Sequence, residues 1–169
     1  MRRTLATFLP LLLLWALLAQ VNHLLAPLHL YLFAGGLFVA YAALVLPWRD
    51  GLAAVLLAGL LCDADAPVRL GTHLLLFAAA HAVVGNIRDR VPRDETVARV
   101  IVALLVNLAL FLALSFVLIG RGPAPAAVWP RVFLDLAASQ VFIALVAPWF
   151  FALQARTLVL ARVERDRLA

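Results

Sequence analysis

Two carboxylates and a guanidinium, Asp63, Asp65 and Arg69, fall close together in the stretch GLLCDADAPVRLGTH at residues 59–73. Paired carboxylates can divide acid–base work between them or hold a cation. On a helix, residues two apart point to different faces, so Asp63 and Asp65 converge only if the chain turns there. No nucleophile or second base accompanies them. The chain has no nucleophile elbow, no H-E-x-x-H, no phosphate loop and no GxGD. Catalytic residues are therefore expected to be none, and the three charges read best as a turn at a water boundary.

The remaining polar candidates lie inside apolar runs, where such groups are costly and are functional candidates by default. His73 and His81 are eight apart and nearly on one helical face. A metal site needs three or four ligands, and these two have no third partner, so a helix–helix hydrogen bond is preferred and no metal or cofactor is implied. Asn107 and Ser115 share a stripe with Phe111 between them. That stripe is expected to face other helices, with a transport pathway as the alternative. Asp135 follows Arg131 by four residues, the less favourable order for a helical pair; an interfacial ion pair is still the preferred reading, and Ser139 and Gln140 continue the polar character inward. The single cysteine, Cys62, excludes an internal disulfide.

The elements that must position these residues are apolar throughout. The chain is 66% hydrophobic, against about 45–50% in soluble domains, and its mean hydropathy is +1.06. Such a chain cannot cover a water-facing globule, so an all-α integral membrane protein is expected. Its 14 basic residues are all arginine and the net charge is +5. In an apolar chain this surplus sets orientation and gives no reason to expect nucleic-acid binding. The N-terminal run after Arg2 and Arg3 shows no clear cleavage site and is expected to be an uncleaved first span.

Six segments emerge, at about 4–20, 28–46, 51–62, 70–87, 97–119 and 132–155, together forming one transmembrane domain over 1–155. A basic tail follows at 156–169. The expected third helix is short: its 12 residues rise only about 18 Å, against a hydrocarbon core of about 30 Å. If all six cross, Arg2, Arg3, Arg49, Arg88, Arg90, Arg93, Arg99, Arg156, Arg162, Arg165 and Arg167 share one side. Only Arg69, Arg121 and Arg131 lie on the other. The bias places both termini in the cytoplasm. Gly36 with Ala40 and Ala54 with Ala58 are small-residue pairs that permit close helix approach. Pro10 and Pro148 are candidate kinks, and Trp15, Trp48, Trp129 and Trp149 are interface anchors by type.

The run LPWRDGLAAVLLAGLLCDADAPVRLGTHLLLF resembles the central region of MreD, the rod shape-determining membrane protein family. The matching features are a Leu-Pro-x-Arg turn at Leu46, Pro47 and Arg49, a Gly-x-x-x-Asp at Gly59 and Asp63, and a Leu-Gly pair at Leu70 and Gly71. Length, segment number and the basic tail are also similar. After the aspartate this chain departs from the family's small residues, with Asp65, Pro67 and Arg69. The resemblance implies a non-enzymatic scaffold of the bacterial elongation (rod) complex that supports peptidoglycan synthesis and cell shape. It implies direct contact with MreC, and complexes with MreB, RodA and a class B penicillin-binding protein, in the bacterial cytoplasmic (inner) membrane. The family also looks like the S-components of energy-coupling-factor vitamin transporters. An S-component-like fold is thus expected, and vitamin binding is the alternative function.

With that topology Asp63 lies at the outer end of the third segment. It is expected to tie the hairpin of segments three and four through N–H groups at the start of segment four, with Gly59 leaving room for it. Asp65 and Arg69 are expected to be rim charges.

Overall fold

A computed structural model describes residues 2–91, 95–119 and 125–161. The tail residues 162–169, with Arg162, Arg165 and Arg167, and the loop arginines Arg93 and Arg121 lie outside these. The described chain is all-helical. It has six α-helices, α1 (Arg2–Leu25), α2 (Gly35–Val45), α3 (Trp48–Asp65), α4 (Thr72–Ile87), α5 (Thr96–Ile119) and α6 (Pro125–Leu160), and short 3₁₀ turns at Ala26–Leu28 and Arg88–Arg90. Three stretches are long and apolar enough to cross a membrane: Arg3–Leu28, Thr96–Ile119 and Val128–Leu160.

α1 shows how these helices divide their surface. Thr7, Leu11, Leu14 and Leu18 form a buried stripe at helical spacing, while Leu5, Leu9, Leu13 and Leu17 are more than half exposed. A helix apolar on both faces and of this length is suited to cross a membrane. α2 is the centre of the bundle. Ten of its eleven residues are buried, and it packs on α3, α4, α5 and α6. α1 packs on α3 and α6, and α3 pairs with α4.

The element boundaries correct the sequence reading in two places. The third helix is not short. It runs for 18 residues, about 27 Å, because Pro47 fixes the backbone for a helix that starts at Trp48, and the last turn accommodates Asp63 and Asp65. The shortest helix is the second, which begins at Gly35 rather than near Leu28. Before it, residues 30–34 are non-helical. Elsewhere the helices outrun expectation. α1 continues to Leu25, and α6 starts at Pro125 and passes through both Pro130 and Pro148. Pro10 likewise lies inside an unbroken α1.

Two close approaches depend on glycine. A Cβ on Gly36 would collide with the Ala103 carbonyl oxygen and fall 2.8 Å from Asn107 Cβ, so α2 and α5 touch backbone to backbone. A Cβ on Gly59 would fall 2.7 Å from Leu74 Cα. The room that Gly59 leaves is therefore filled by the first turn of α4.

Candidate functional site

Asp63 is 4% exposed, in the last turn of α3, facing the start of α4. Its Oδ2 accepts the Gly71 N–H at 2.9 Å and the Leu74 N–H at 3.2 Å. Its Oδ1 accepts the His73 N–H at 2.8 Å and lies 2.9 Å from His73 Nδ1. The first N–H groups of a helix have no partner within it, and they carry the positive end of its dipole. One carboxylate thus closes the end of α4 from a neighbouring helix. Gly71 makes this geometry accessible: its φ of 94° is left-handed, which only glycine adopts without strain. Thr72 completes the turn by donating its hydroxyl to the Arg69 carbonyl at 2.7 Å.

A carboxylate offers about four lone-pair positions, and four donors occupy them here. Asp63 cannot accept a proton or ligate a cation without giving up part of the hairpin. Asp65 and Arg69 are exposed at the rim, and no ion pair joins Arg69 to Asp63 among the described residues. Pro47 is the N-cap of α3, Arg49 is exposed in its first turn, and Leu70 is 76% exposed just ahead of Gly71.

A second polar constellation surrounds the non-helical segment before α2. Backbone outside regular helices must find its hydrogen bonds elsewhere, and here side chains from three helices supply them. Asn22 on α1 accepts the Leu32 N–H at 2.8 Å and donates Nδ2 to the Leu32 carbonyl at 2.9 Å, acting as a neighbouring strand would. Asp135 on α6 accepts the Tyr31 N–H at 3.0 Å. Ser139, one turn on, accepts the Phe33 N–H at 2.9 Å while donating to the Asp135 carbonyl at 2.6 Å. Asn107 on α5 accepts the Gly36 N–H in the first turn of α2 at 3.2 Å. The two constellations adjoin: the Phe33 ring lies 6.3 Å from the His73 ring and 5.9 Å from Phe111.

This corrects the reading of Asp135. Among the described residues it has no ion pair with Arg131, which is exposed; its partner is a backbone amide 104 positions away. Asn107, Phe111 and Ser115 are buried together on α5 and face other helices. His73 joins Asp63, whereas His81 lies apart. His81 is fully buried against the Trp48 ring at 4.8 Å, and neither ring nitrogen has a hydrogen-bond partner among the described residues. The sequence reading missed Asn22, although the Asn-His-x-x-Ala-Pro run around it signals a chain break. It also missed Thr7 and Gln154, fully buried or nearly so and without side-chain hydrogen-bond partners among the described residues, and nothing local marks these two. Among the described residues no three His, Cys, Asp or Glu side chains gather as a metal site would require.

No family model, curated protein or solved structure matches the chain.

Proposed function

We propose that the chain is an MreD-like, non-enzymatic scaffold of the bacterial rod complex, a six-helix transmembrane bundle in the cytoplasmic membrane with both termini inside. One observation carries this reading. Pro47, Gly59, Asp63 and Gly71, which carry the resemblance, all act in a single α3–α4 tie: one starts α3, one admits the α4 backbone, one caps it and one turns the chain. Residues working together as a mechanical unit suit a protein whose product is a shape presented to partners. The occupied lone pairs of Asp63 support a structural role for the most prominent acid in the chain.

Six crossings are compatible with the helix lengths once the second is counted with its lead-in. Eleven helical residues rise about 16 Å, and the five residues 30–34 can add up to roughly 16 Å. Together they match a core of about 30 Å. Arginines at the ends of α1, α3, α4, α5 and α6 support the cytoplasmic assignment of that face.

The direct partner under this reading is MreC, with RodA, a class B penicillin-binding protein and MreB in the wider assembly. Co-purification with the MreC of the same genome in a mild detergent is the test. A stable complex is expected, and its absence, with both proteins folded and monodisperse, overturns the proposal. Saturable thermal stabilisation by one member of a vitamin panel would move the assignment to the S-component alternative.

A further inference from the structure

Three helices meet where the segment before α2 becomes helical, and their contacts close a ring. Ser139 on α6 accepts the Phe33 N–H at 2.9 Å. Its neighbour Gln140 donates Nε2 to the Leu104 carbonyl on α5 at 3.1 Å. Asn107, one turn along α5, accepts the Gly36 N–H at 3.2 Å, and Gly36 lies three residues after Phe33. The ring therefore runs from Phe33 through α6 to α5 and returns through Gly36. Inside it α2 and α5 touch backbone to backbone, because a Cβ on Gly36 would fall 2.9 Å from the Asn107 nitrogen. Gln140 and Asn107 are thus held to a single turn of α5, Gln140 from across the α5–α6 interface.

Each of these two side-chain amides is half used. Asn107, fully buried, spends its oxygen on Gly36, and its Nδ2 is buried without a partner among the described residues. Gln140 spends its nitrogen on Leu104, and its Oε1 is buried without a partner among the described residues. The backbone groups fix both orientations. Turning the Asn107 amide over would set its NH2 against the Gly36 N–H, donor to donor. Turning Gln140 over would set its oxygen against the Leu104 carbonyl, acceptor to acceptor. No flip removes the surplus, so one donor and one acceptor remain beside the same turn, each costly to leave unmet. A cation would find one oxygen there and an anion one NH2. Water accepts from the first group and donates to the second with a single oxygen, and internal waters occupy sites of this kind.

We propose that the α5–α6 interface binds an internal water molecule between Asn107 and Gln140, accepting a hydrogen bond from Asn107 Nδ2 and donating one to Gln140 Oε1. The bridge joins the two side chains that already grip α5 and the start of α2, so the polar ring is closed by hydrogen bonds on the side where the amides face each other. The inference rests on how α2, α5 and α6 pack and does not depend on the chain's partners.

The chain has three asparagines, Asn22, Asn86 and Asn107, so the site can be read by nuclear magnetic resonance of the full chain in a mild detergent, with only asparagine carrying the heavy nitrogen isotope. The Nδ2 protons of Asn107 should show cross-relaxation to the water signal with the sign of a long-lived neighbour, and the rotating-frame experiment separates this from proton exchange. Asn22, part-exposed, and Asn86, exposed, should show only the short-lived contacts of surface water. This measurement needs no variant. Gln140→Met keeps the side-chain length and removes the acceptor; it should abolish the Asn107 signal from water, while unchanged Asn22 resonances report that the bundle is folded. No long-lived water at Asn107 in the unaltered chain overturns the proposal, as does an equal signal at all three asparagines. A water signal at Asn107 that survives Gln140→Met in a folded chain overturns the bridge. Cross-relaxation to detergent protons in place of water overturns the assignment of the guest in favour of an amphiphile.

Discussion

One oxygen of Asp63 meets His73 twice: Oδ1 accepts its backbone N–H at 2.8 Å and contacts its ring Nδ1 at 2.9 Å. The same residue thus contributes to the helix end being capped and holds the cap in place. Removing the carboxylate leaves three backbone donors without their acceptor at once, the buried His73 N–H and the part-buried Gly71 and Leu74 N–H groups, and each buried donor left without a partner costs about 1–3 kcal/mol. Asp63→Ala should therefore lower stability by roughly 3 kcal/mol or more, while Asp65→Ala, at the exposed rim, should stay within about 0.5 kcal/mol. Thermal unfolding in detergent ranks the two, and an equal or larger effect of Asp65→Ala contradicts the cap.

The two histidines should respond in opposite ways. His73→Leu removes a ring that holds Asp63, and a loss of about 1–3 kcal/mol is expected, as for other hydrogen bonds to charged groups. His81 buries two ring nitrogens without a partner, and replacing an unsatisfied polar group by an apolar one of similar volume is neutral or stabilising. His81→Leu should unfold at the wild-type temperature or above it. A large loss at His81 with little at His73 reverses the assignment.

Gly59 and Gly71 are needed for different reasons, and alanine tells them apart. At Gly71 nothing lies within 4 Å of an added Cβ, so only the left-handed backbone is penalised, by about 1–2 kcal/mol. At Gly59 the Cβ would press on the backbone of Leu74 at 2.7 Å, and α3 and α4 must separate. Gly59→Ala should be the more damaging of the two, and it should also expose the His73 amide to hydrogen exchange. Protection of that amide in a folded Gly59→Ala variant would falsify the close-approach account.

The pinned segment before α2 has its own signature. The amides of Tyr31, Leu32 and Phe33 belong to no helix yet all have side-chain acceptors, so slow exchange is expected at each. Ser139→Ala should release Phe33 and Asn22→Leu should release Leu32, each with a loss of about 1–3 kcal/mol. Asp135→Asn keeps an acceptor for Tyr31 and should be much milder than Asp135→Leu. Fast exchange of all three amides in the unaltered protein contradicts the pinning.

The Asp63 tie was legible because its parts are local. An acid, a glycine one turn before it and a Leu-Gly pair soon after are enough to place a helix end against a helix start. The break before α2 was not legible, because LHLYLFAGGLFVA is apolar throughout and offers no period that separates helix from extended chain. Its cause lies elsewhere, in Asn22, Asp135 and Ser139. Asp135 was misassigned for the same reason. Arg131 is four residues away in sequence, but the partner that decides its role is Tyr31 on another part of the chain. The start of α3 was placed at residue 51 rather than Trp48 because Leu46, Pro47 and Arg49 read as a turn, whereas Pro47 is the N-cap that opens the helix.

The pinned segment also constrains the order in which the protein is made. Asp63 meets its partners within 11 positions, so α3 and α4 can pair as a hairpin as soon as both are made. Residues 31 and 33 wait for side chains 104 and 106 positions downstream. Their amides stay unmet until the last helix leaves the ribosome and docks. The segment before α2 is thus early in translation but late in folding, and a chain truncated before Asp135 should leave these amides unmet.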